Sequence, residues 1–396
     1  MANILLAWEL GGGLGHLSAL RPVAAGLVAR GHRVFAALRD LSSAARMFAG
    51  TEVSFLQAPF RSRRGGVVIN PLRTFPHILL CNGFADPGEL QAMADAWRNL
   101  YDYVQPDLIV FDHSPTALLA AQSCPARRAL IGTGFCAPAD VCPMPDLRPW
   151  LPDDSERMRK AEQHALDNAN RVLQRWGTAA LERISQLYGD VDENFLMSVA
   201  ELDTYRPGRN GQTYWGSWPD AGGVAPEWPA GDGKRVFAYL KPFPALPQLL
   251  ALLIELRQPA LLYIDGIDPR MARRFQSPTL RFERRPVDLR QVAQQCDLAI
   301  LNGTHGTTVS MLLAGRPLLE IPLYLEQGLN SRAVERLGAG LTAAPNRPEQ
   351  IAVKLMRLLG SDEYATAARR FAAGHGDLVP DQQVERMLLR IEELLA

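Results

Sequence analysis

The first 38 residues alternate between short apolar runs and a helical pattern. Asn3–Trp8 is apolar; four glycines follow it, and then apolar residues recur at the spacing of one helix face. Gly31 ends the helical pattern, and residues 34–38 form a second apolar run. A strand, a glycine-rich loop, a helix and a second strand are the opening unit of a parallel sheet, so we predict an α/β fold.

The same alternation recurs along most of the chain. We predict further strands at residues 108–111, 129–132, 235–240, 260–264, 298–301 and 318–321. We predict helices near residues 247–256, 307–314, 329–337, 351–359 and 381–395, and one or two long helices within 153–197.

One stretch interrupts this pattern. Residues 206–233 contain 7 Gly and 4 Pro in 28 positions, which excludes a regular element. We therefore predict two domains of one architecture, at residues 1–213 and 234–379, joined by a linker at 214–233. The last helix, within 380–396, is expected to pack back on the first domain.

Composition narrows the class of protein. With 47% apolar and 21% charged residues, the chain is an ordinary globular protein. Its 42 basic residues balance its 42 acidic ones, which disfavours nucleic acid and anionic membranes as partners. Five scattered cysteines without a CxxC pair argue against a disulfide framework and a zinc site. No signal peptide or membrane-length apolar segment is visible, so we expect a cytoplasmic protein.

The first candidate site follows the first strand. Gly11, Gly12, Gly13 and Gly15 precede His16 there, and the carboxyl ends of parallel strands face the ligand crevice. A histidine at this edge can take a proton from a substrate hydroxyl. It can equally just pack against the start of the helix, and the sequence leaves both readings open.

Asp112 follows another predicted buried strand. Its carboxylate can accept the second N–H of His16, which would fix the tautomer of the imidazole. The alternative is an aspartate that caps the next helix, and this too stays open.

Two further candidates lie in the second half. Residues 302–308 read Asn-Gly-Thr-His-Gly-Thr-Thr after a predicted strand, so that N–H groups at a helix start can bind phosphate without Lys or Arg. A tight turn capped by Thr307 is the alternative. Glu326 and Gln327 follow the next strand and can hydrogen-bond sugar hydroxyls, although a plain surface loop has the same composition.

Taken together, these motifs resemble the UDP-glycosyltransferase superfamily of GT-B glycosyltransferases in both halves of the chain. The sequence around His16, with Arg-Gly-His-Arg-Val at 30–34, looks like the amino-terminal signature of that family. Residues 302–340 are similar to its donor signature, HGGxGTxxExLxxGxPxLxxPxxxDQxxNAxxxxxxGxG. The resemblance implies two Rossmann-like, doubly wound lobes facing each other across a cleft.

The resemblance also implies roles for individual residues. The second lobe would hold a nucleoside-diphosphate sugar and the first lobe the acceptor. His16 lies where many members keep the catalytic base, and Asp112 lies where they keep its partner. The implied donor contacts are Gly15, Asn302, Gly303, Thr304, His305, Gly306, Thr307, Ser310, Glu326, Gln327 and Asn330.

Three of these positions depart from the signature. Asn302 replaces a phosphate-binding histidine, Thr304 replaces a glycine, and Ser310 replaces the glutamate that grips the ribose hydroxyls. An amide can still donate, and His305 could supply an imidazole, but serine lacks the length and charge of glutamate. The sequence therefore leaves the nucleotide base open.

The predicted function is an inverting, metal-independent transfer of a sugar from a UDP- or dTDP-linked donor to a hydroxyl of a small molecule, without a cofactor. Phe75, His77, His113 and the basic loop at 61–66 are candidate acceptor contacts, and they suit a small hydrophobic alcohol or phenol. Two alternatives stay open: a nucleotide-sugar epimerase of the same fold, and a sugar-nucleotide-binding protein without catalysis.

Overall fold

The computed structural model describes residues 1–61, 66–209, 211–218 and 223–396. The chain forms two compact units. The first contains Met1–Trp215 together with Asp381–Ala396, and the second contains Gly216–Pro380. Each unit has a six-stranded sheet in which every neighbouring pair of strands is parallel.

The first unit alternates strands and helices, and its strand order is β3-β2-β1-β4-β5-β6. Its elements are β1 (Asn3–Trp8), α1 (Gly15–Ala29), β2 (Arg33–Leu38), α2 (Ala44–Met47), β3 (Val53–Gln57), α3 (Phe75–Leu79), α4 (Pro87–Val104), β4 (Leu108–Asp112), α5 (Pro115–Ala121), β5 (Arg127–Gly132), α6 (Ser155–Arg175), α7 (Gln186–Gly189) and β6 (Glu193–Leu196). A kinked turn at Leu80–Phe84 follows α3, and Asn82 and Gly83 within it depart from helical φ and ψ angles.

The central strands β1 and β4 carry the core of the first unit. Every residue of β4 is buried, as are five of the six residues of β1, because helices cover both faces of a parallel sheet. Their side chains are therefore apolar in unbroken runs, and the predicted strands at these positions are confirmed. Residues 153–197 hold one long helix, α6, but also the short α7 and the edge strand β6, which the sequence did not predict.

The second unit repeats the architecture with the strand order β12-β11-β10-β7-β8-β9. Its elements are β7 (Val236–Leu240), α8 (Leu246–Glu255), β8 (Ala260–Ile264), α9 (Pro269–Arg274), β9 (Leu280–Glu283), α10 (Leu289–Gln295), β10 (Leu298–Leu301), α11 (His305–Leu313), β11 (Leu318–Glu320), α12 (Leu325–Arg336), β12 (Gly340–Thr342), α13 (Pro348–Gly360) and α14 (Glu363–Gly374). The two sheets confirm the predicted doubly wound α/β class.

The last helix, α15 (Pro380–Leu395), returns to the first unit. Leu388 packs so closely on α1 that a Cβ at Gly26 would lie 2.3 Å from its Cδ1. Two polar contacts border this packing: both Glu385 oxygens accept from Arg30 Nη2, at 2.6 and 2.7 Å, and His32 Nε2 lies 2.8 Å from Glu392 Oε1. The chain thus begins and ends in one compact unit.

Candidate functional site

His16 and Asp112 meet at the carboxyl edge of the first sheet. β1 and β4 are neighbours with Trp8 opposite Asp112, and His16 is the second residue of α1. His16 Nδ1 and Asp112 Oδ2 are 2.8 Å apart, a hydrogen-bond distance. The Asp112 side chain is 3% exposed and that of His16 is 17% exposed. The carboxylate is therefore shielded from water, while the imidazole stays accessible.

Gly11 makes room for this imidazole. Its φ is +84°, in the left-handed region, and a Cβ built on it would lie 2.4 Å from His16 Nε2. No side chain fits there while the ring keeps its position. Nε2, the ring nitrogen on the far side from Asp112, therefore lies against bare backbone.

Two aromatic rings fix the plane of His16. Trp8 is stacked on it with ring centroids 5.0 Å apart, and His113 lies nearly parallel at 6.4 Å. His113 is 8% exposed, and its φ is +46°, an unusual value for a residue other than glycine. Burial, followed by the nearby charge of His16, lowers the pKa of His113 to about 3. His113 is consequently neutral at physiological pH, and its low affinity for a proton makes it a weaker base than an ordinary imidazole.

Phe75 and His77 are both buried in the first unit. Phe75 is fully buried, with its ring 6.1 Å from that of His113. His77 Nδ1 accepts a hydrogen bond from the backbone N–H of Arg73 at 3.1 Å, and burial lowers its pKa. Their predicted contact with the acceptor stays a prediction. Residues 62–65 of the basic loop lie outside the described residues.

Glu9 is a buried acid that the sequence analysis missed. Its Oε2 accepts from the N–H groups of Thr116 and Ala117 at 3.0 and 3.4 Å, at the start of α5. Burial raises its pKa to about 7, although these hydrogen bonds act in the opposite direction. The sequence signal for Glu9 was a single acid directly after an apolar strand. A surface turn gives the same pattern, so this signal did not single out a buried acid.

In the second unit, Gly303 begins the loop that was predicted to bind phosphate. Its φ is +81°, and a Cβ there would lie 2.8 Å from both Gln327 O and Ser331 Oγ. Asn330 Nδ2 donates to Gly303 O at 3.1 Å, and Gln327 Nε2 lies 3.4 Å from Thr304 Oγ1. The start of α12 is thus fastened to the loop after β10, which brings four of the predicted donor contacts together.

Asn302 connects three strand ends. Its Oδ1 accepts from Lys241 N at 2.6 Å, and its Nδ2 donates to Ile321 O at 2.8 Å. The residue is 4% exposed. Its carbonyl oxygen and one amide hydrogen are therefore used inside the protein, which leaves at most the second amide hydrogen for a phosphate.

The helix after this loop starts earlier than the sequence predicted. α11 begins at His305 with Thr304 as its N-cap, two residues before the predicted start, and Thr307 is not the cap that the alternative interpretation required. A Cβ built on Gly306, in the first turn, would meet its nearest neighbour outside the helix at 3.6 Å, an ordinary contact distance. Ser310 Oγ donates to Gly306 O at 2.7 Å, so its hydroxyl hydrogen is used within the helix.

The remaining predicted contacts lie at the ends of helices. Gly15 is the exposed first residue of α1, in the first unit. His305 is 5% exposed. Glu326 and Gln327 are half-buried in the first turn of α12, and Gln327 Oε1 accepts from Leu323 N at 2.8 Å. Their roles toward a donor stay predictions.

Two other kinds of feature are absent from the parts of the chain that the structure describes. In those ranges, no three His, Cys, Asp or Glu side chains are grouped so that they could hold a metal ion. Among the helices of the same ranges, none combines the length and hydrophobicity needed to cross a bilayer.

Comparisons with known proteins give one consistent class. No family model matches the chain. It is 35% identical over 86 residues to a PGL/p-HBAD biosynthesis glycosyltransferase of Mycobacterium tuberculosis, and 39% identical over 85 residues to the elloramycin glycosyltransferase ElmGT of Streptomyces olivaceus. These matches cover 21% of this chain and only 20% and 21% of the two relatives.

Solved structures match over the whole chain. The calicheamicin glycosyltransferase CalG4 has a TM-score of 0.73 at 18% identity, covering 100% of this chain and 98% of its own. SnogD from Streptomyces nogalater has a TM-score of 0.64 at 20% identity over 100% of both chains. VinC, solved in complex with dTDP, has a TM-score of 0.65 at 16% identity, covering 98% of this chain and 99% of its own. The two sheets of this chain thus match the two Rossmann-like lobes of the GT-B fold, as its sequence motifs predicted.

Proposed function

We propose that this protein is an inverting glycosyltransferase that moves a sugar from a nucleoside diphosphate to a hydroxyl of a small molecule without a metal. The observation that carries the proposal is the 2.8 Å contact between His16 Nδ1 and Asp112 Oδ2 at the carboxyl edge of the first sheet. This arrangement is that of a general base and the group that orients it.

The reaction is a single displacement. His16 Nε2 takes the proton of the acceptor hydroxyl while its oxygen attacks the anomeric carbon of the donor sugar. The bond from that carbon to the diphosphate breaks, and its electron pair leaves with the nucleoside diphosphate. Asp112 holds the imidazole in the tautomer with the proton on Nδ1 and stabilises the imidazolium that forms.

The donor is proposed to bind at the carboxyl edge of the second sheet. The N–H groups in the first turn of α11 and the helix dipole would stabilise the departing diphosphate. Glu326 and Gln327 would bind hydroxyls of the sugar. The dTDP complex of VinC supports a UDP- or dTDP-linked donor, since that protein shares the fold. We retain the expectation of a cytoplasmic protein with no nucleic-acid partner.

Neither alternative is favoured. The curated relatives and solved structures described above are glycosyltransferases, and none is named as an epimerase or a binding protein. The 2.8 Å contact between His16 and Asp112 also supports a transferase, because a protein that only binds sugar nucleotides does not need a base and a carboxylate that orients it.

The test is release of nucleoside diphosphate from UDP- and dTDP-hexoses in the presence of phenolic acceptors. We expect His16→Ala to lower turnover by about 10²–10⁴, the contribution of a general base. His164→Ala, which removes an exposed imidazole from α6 of the same unit, is the matched control. Turnover of His16→Ala equal to that of the control would refute the base.

A further inference from the structure

A cavity of about 420 Å³ opens in the first unit. Its size falls in the range of small-molecule sites. Apolar side chains form most of its wall: Leu10, Phe60, Val67, Ile69, Leu72 and Met93. Phe60 and Val67 are among the exposed large hydrophobic residues of the chain. A wall of this kind favours an apolar ligand, because binding would remove that surface from water.

Two arginines, Arg61 and Arg39, also line this cavity, and they differ in whether a carboxylate pairs with them. Arg61 is neutralised, since its Nε lies 2.6 Å from Glu89 Oε1. Arg39, directly after β2, has no carboxylate partner among the residues that the structure describes. Its Nη1 donates to the backbone oxygen of Glu9 at 3.1 Å. That bond uses one of its five N–H donors and keeps the guanidinium at the cavity wall.

Glu9 also lines the cavity, and its electrostatic interaction with Arg39 lowers the pKa of Glu9, against the larger rise to about 7 that burial causes. Its Oε2 faces the N–H groups at the start of α5, as described above, and no ion pair joins it to Arg39. A half-buried guanidinium in an apolar wall gains most from a ligand with a planar anionic group, which can accept two parallel hydrogen bonds.

The chain links the cavity wall to the proposed base. Leu10 lines the cavity, and the next residue, Gly11, has its Cβ position 2.4 Å from His16 Nε2, although His16 itself is not among the lining residues. We propose that the cavity binds an acceptor that has an apolar, ring-sized body and a carboxylate held by Arg39. That its hydroxyl is the one glycosylated rests on the proposed function, whereas binding of the carboxylate does not.

The experiment compares two probes that differ mainly in charge, 6-hydroxy-2-naphthoate and 6-hydroxy-2-naphthamide. Binding of each to the full chain is measured by calorimetry without any donor. We expect the wild-type protein to bind the carboxylate about tenfold or more tightly than the carboxamide, as suits a charge-assisted pair. We expect Arg39→Gln to abolish this preference while the affinity for the carboxamide stays the same, which also shows that the variant is folded.

Two other variants sharpen the result. Arg39→Lys keeps the charge but loses the planar fork, so part of the preference should remain. Arg33→Gln removes an arginine at the opposite end of β2, away from the cavity lining, and should leave the preference intact. The proposal is overturned if the wild-type protein binds neither probe, if it shows no preference, or if the preference survives in Arg39→Gln.

Failure of the proposed function gives a different result. Arg39-dependent binding of the naphthoate, with no transfer of sugar to any acceptor, keeps the cavity assignment and refutes the transferase. Transfer that proceeds equally well with both probes supports the transferase and refutes the assignment of the carboxylate to Arg39.

Discussion

The imidazole of His16 occupies its place because residue 11 has no side chain. The 2.4 Å between Nε2 and the position of a Cβ on Gly11 is far below any tolerated contact. Asp112 holds one ring nitrogen, Trp8 covers one face, and Gly11 bounds the edge that carries the other nitrogen. The geometry of the proposed base is therefore set by three residues from two strand ends.

We expect Gly11→Ala to displace the ring and to lower turnover by about tenfold or more, because a base must lie within hydrogen-bond reach of its proton. Gly13→Ala is a close control. Gly13 has φ +85° against +84° for Gly11, but nothing lies within 4 Å of its Cβ position. Both variants share a left-handed backbone cost of about 1–2 kcal/mol. Equal turnover of the two variants would show that the ring does not need this space.

At the scale of residues, the sequence predicted which two side chains meet better than it predicted what packs around them. His16 and Asp112 were each predicted to lie directly beyond an apolar strand, which was enough to suggest that they meet. Three other features depend on distances between elements, which the sequence does not give. They are the need for glycine at position 11, the burial of Glu9 and the lack of a carboxylate partner for Arg39. The use of Asn302 inside the protein likewise required the positions of Lys241 and Ile321.

At the scale of elements, burial decided which strands could be predicted. β1, β4, β8 and β10 lie inside the sheets and are largely unbroken apolar runs, and they were predicted nearly to the residue. The missed strands β3, β6, β9 and β12 are the four sheet edges. Edge strands are short or partly exposed, so their side chains carry little of the apolar signal.

Glu320 joins β11 to α11, the helix that follows the proposed donor loop, and we expect it to make the stability of the second unit depend on pH. It ends β11, is fully buried, and accepts from Thr308 Oγ1 of α11 at 2.7 Å. Burial raises its pKa from 4.5 to about 7. Between these values the folded chain keeps a proton that the unfolded chain has lost, so this acid contributes less stability as pH rises, and the loss is complete above about pH 7.

We expect Glu320→Gln to remove this dependence, because glutamine can still accept from Thr308 and does not titrate. The stability of the variant relative to wild type should rise between pH 5 and pH 8, by up to about 3 kcal/mol. This difference in stability is measured by urea unfolding, with hydrogen exchange in peptides of residues 223–380 as the readout. Glu255→Gln, at an exposed site on α8, is the control. A difference that stays constant with pH would contradict the prediction.

At the scale of the whole molecule, the chain returns to its first unit through α15, and we expect the stability of that unit to depend on this helix. Ile391 is fully buried on α15, whereas Leu389 of the same helix is 53% exposed. Ile391→Ala should lower the free energy of unfolding of the first unit by about 2–5 kcal/mol, the range for a deleted core side chain. Leu389→Ala should change it by no more than about 0.5 kcal/mol, as is usual at exposed sites.

Hydrogen exchange locates the effect of Ile391→Ala within the chain. Protection should fall in α1 and β1, near the start of the chain, and stay constant in β7 and β8 of the second unit. Equal loss in both units would mean that α15 does not stabilise the first unit specifically.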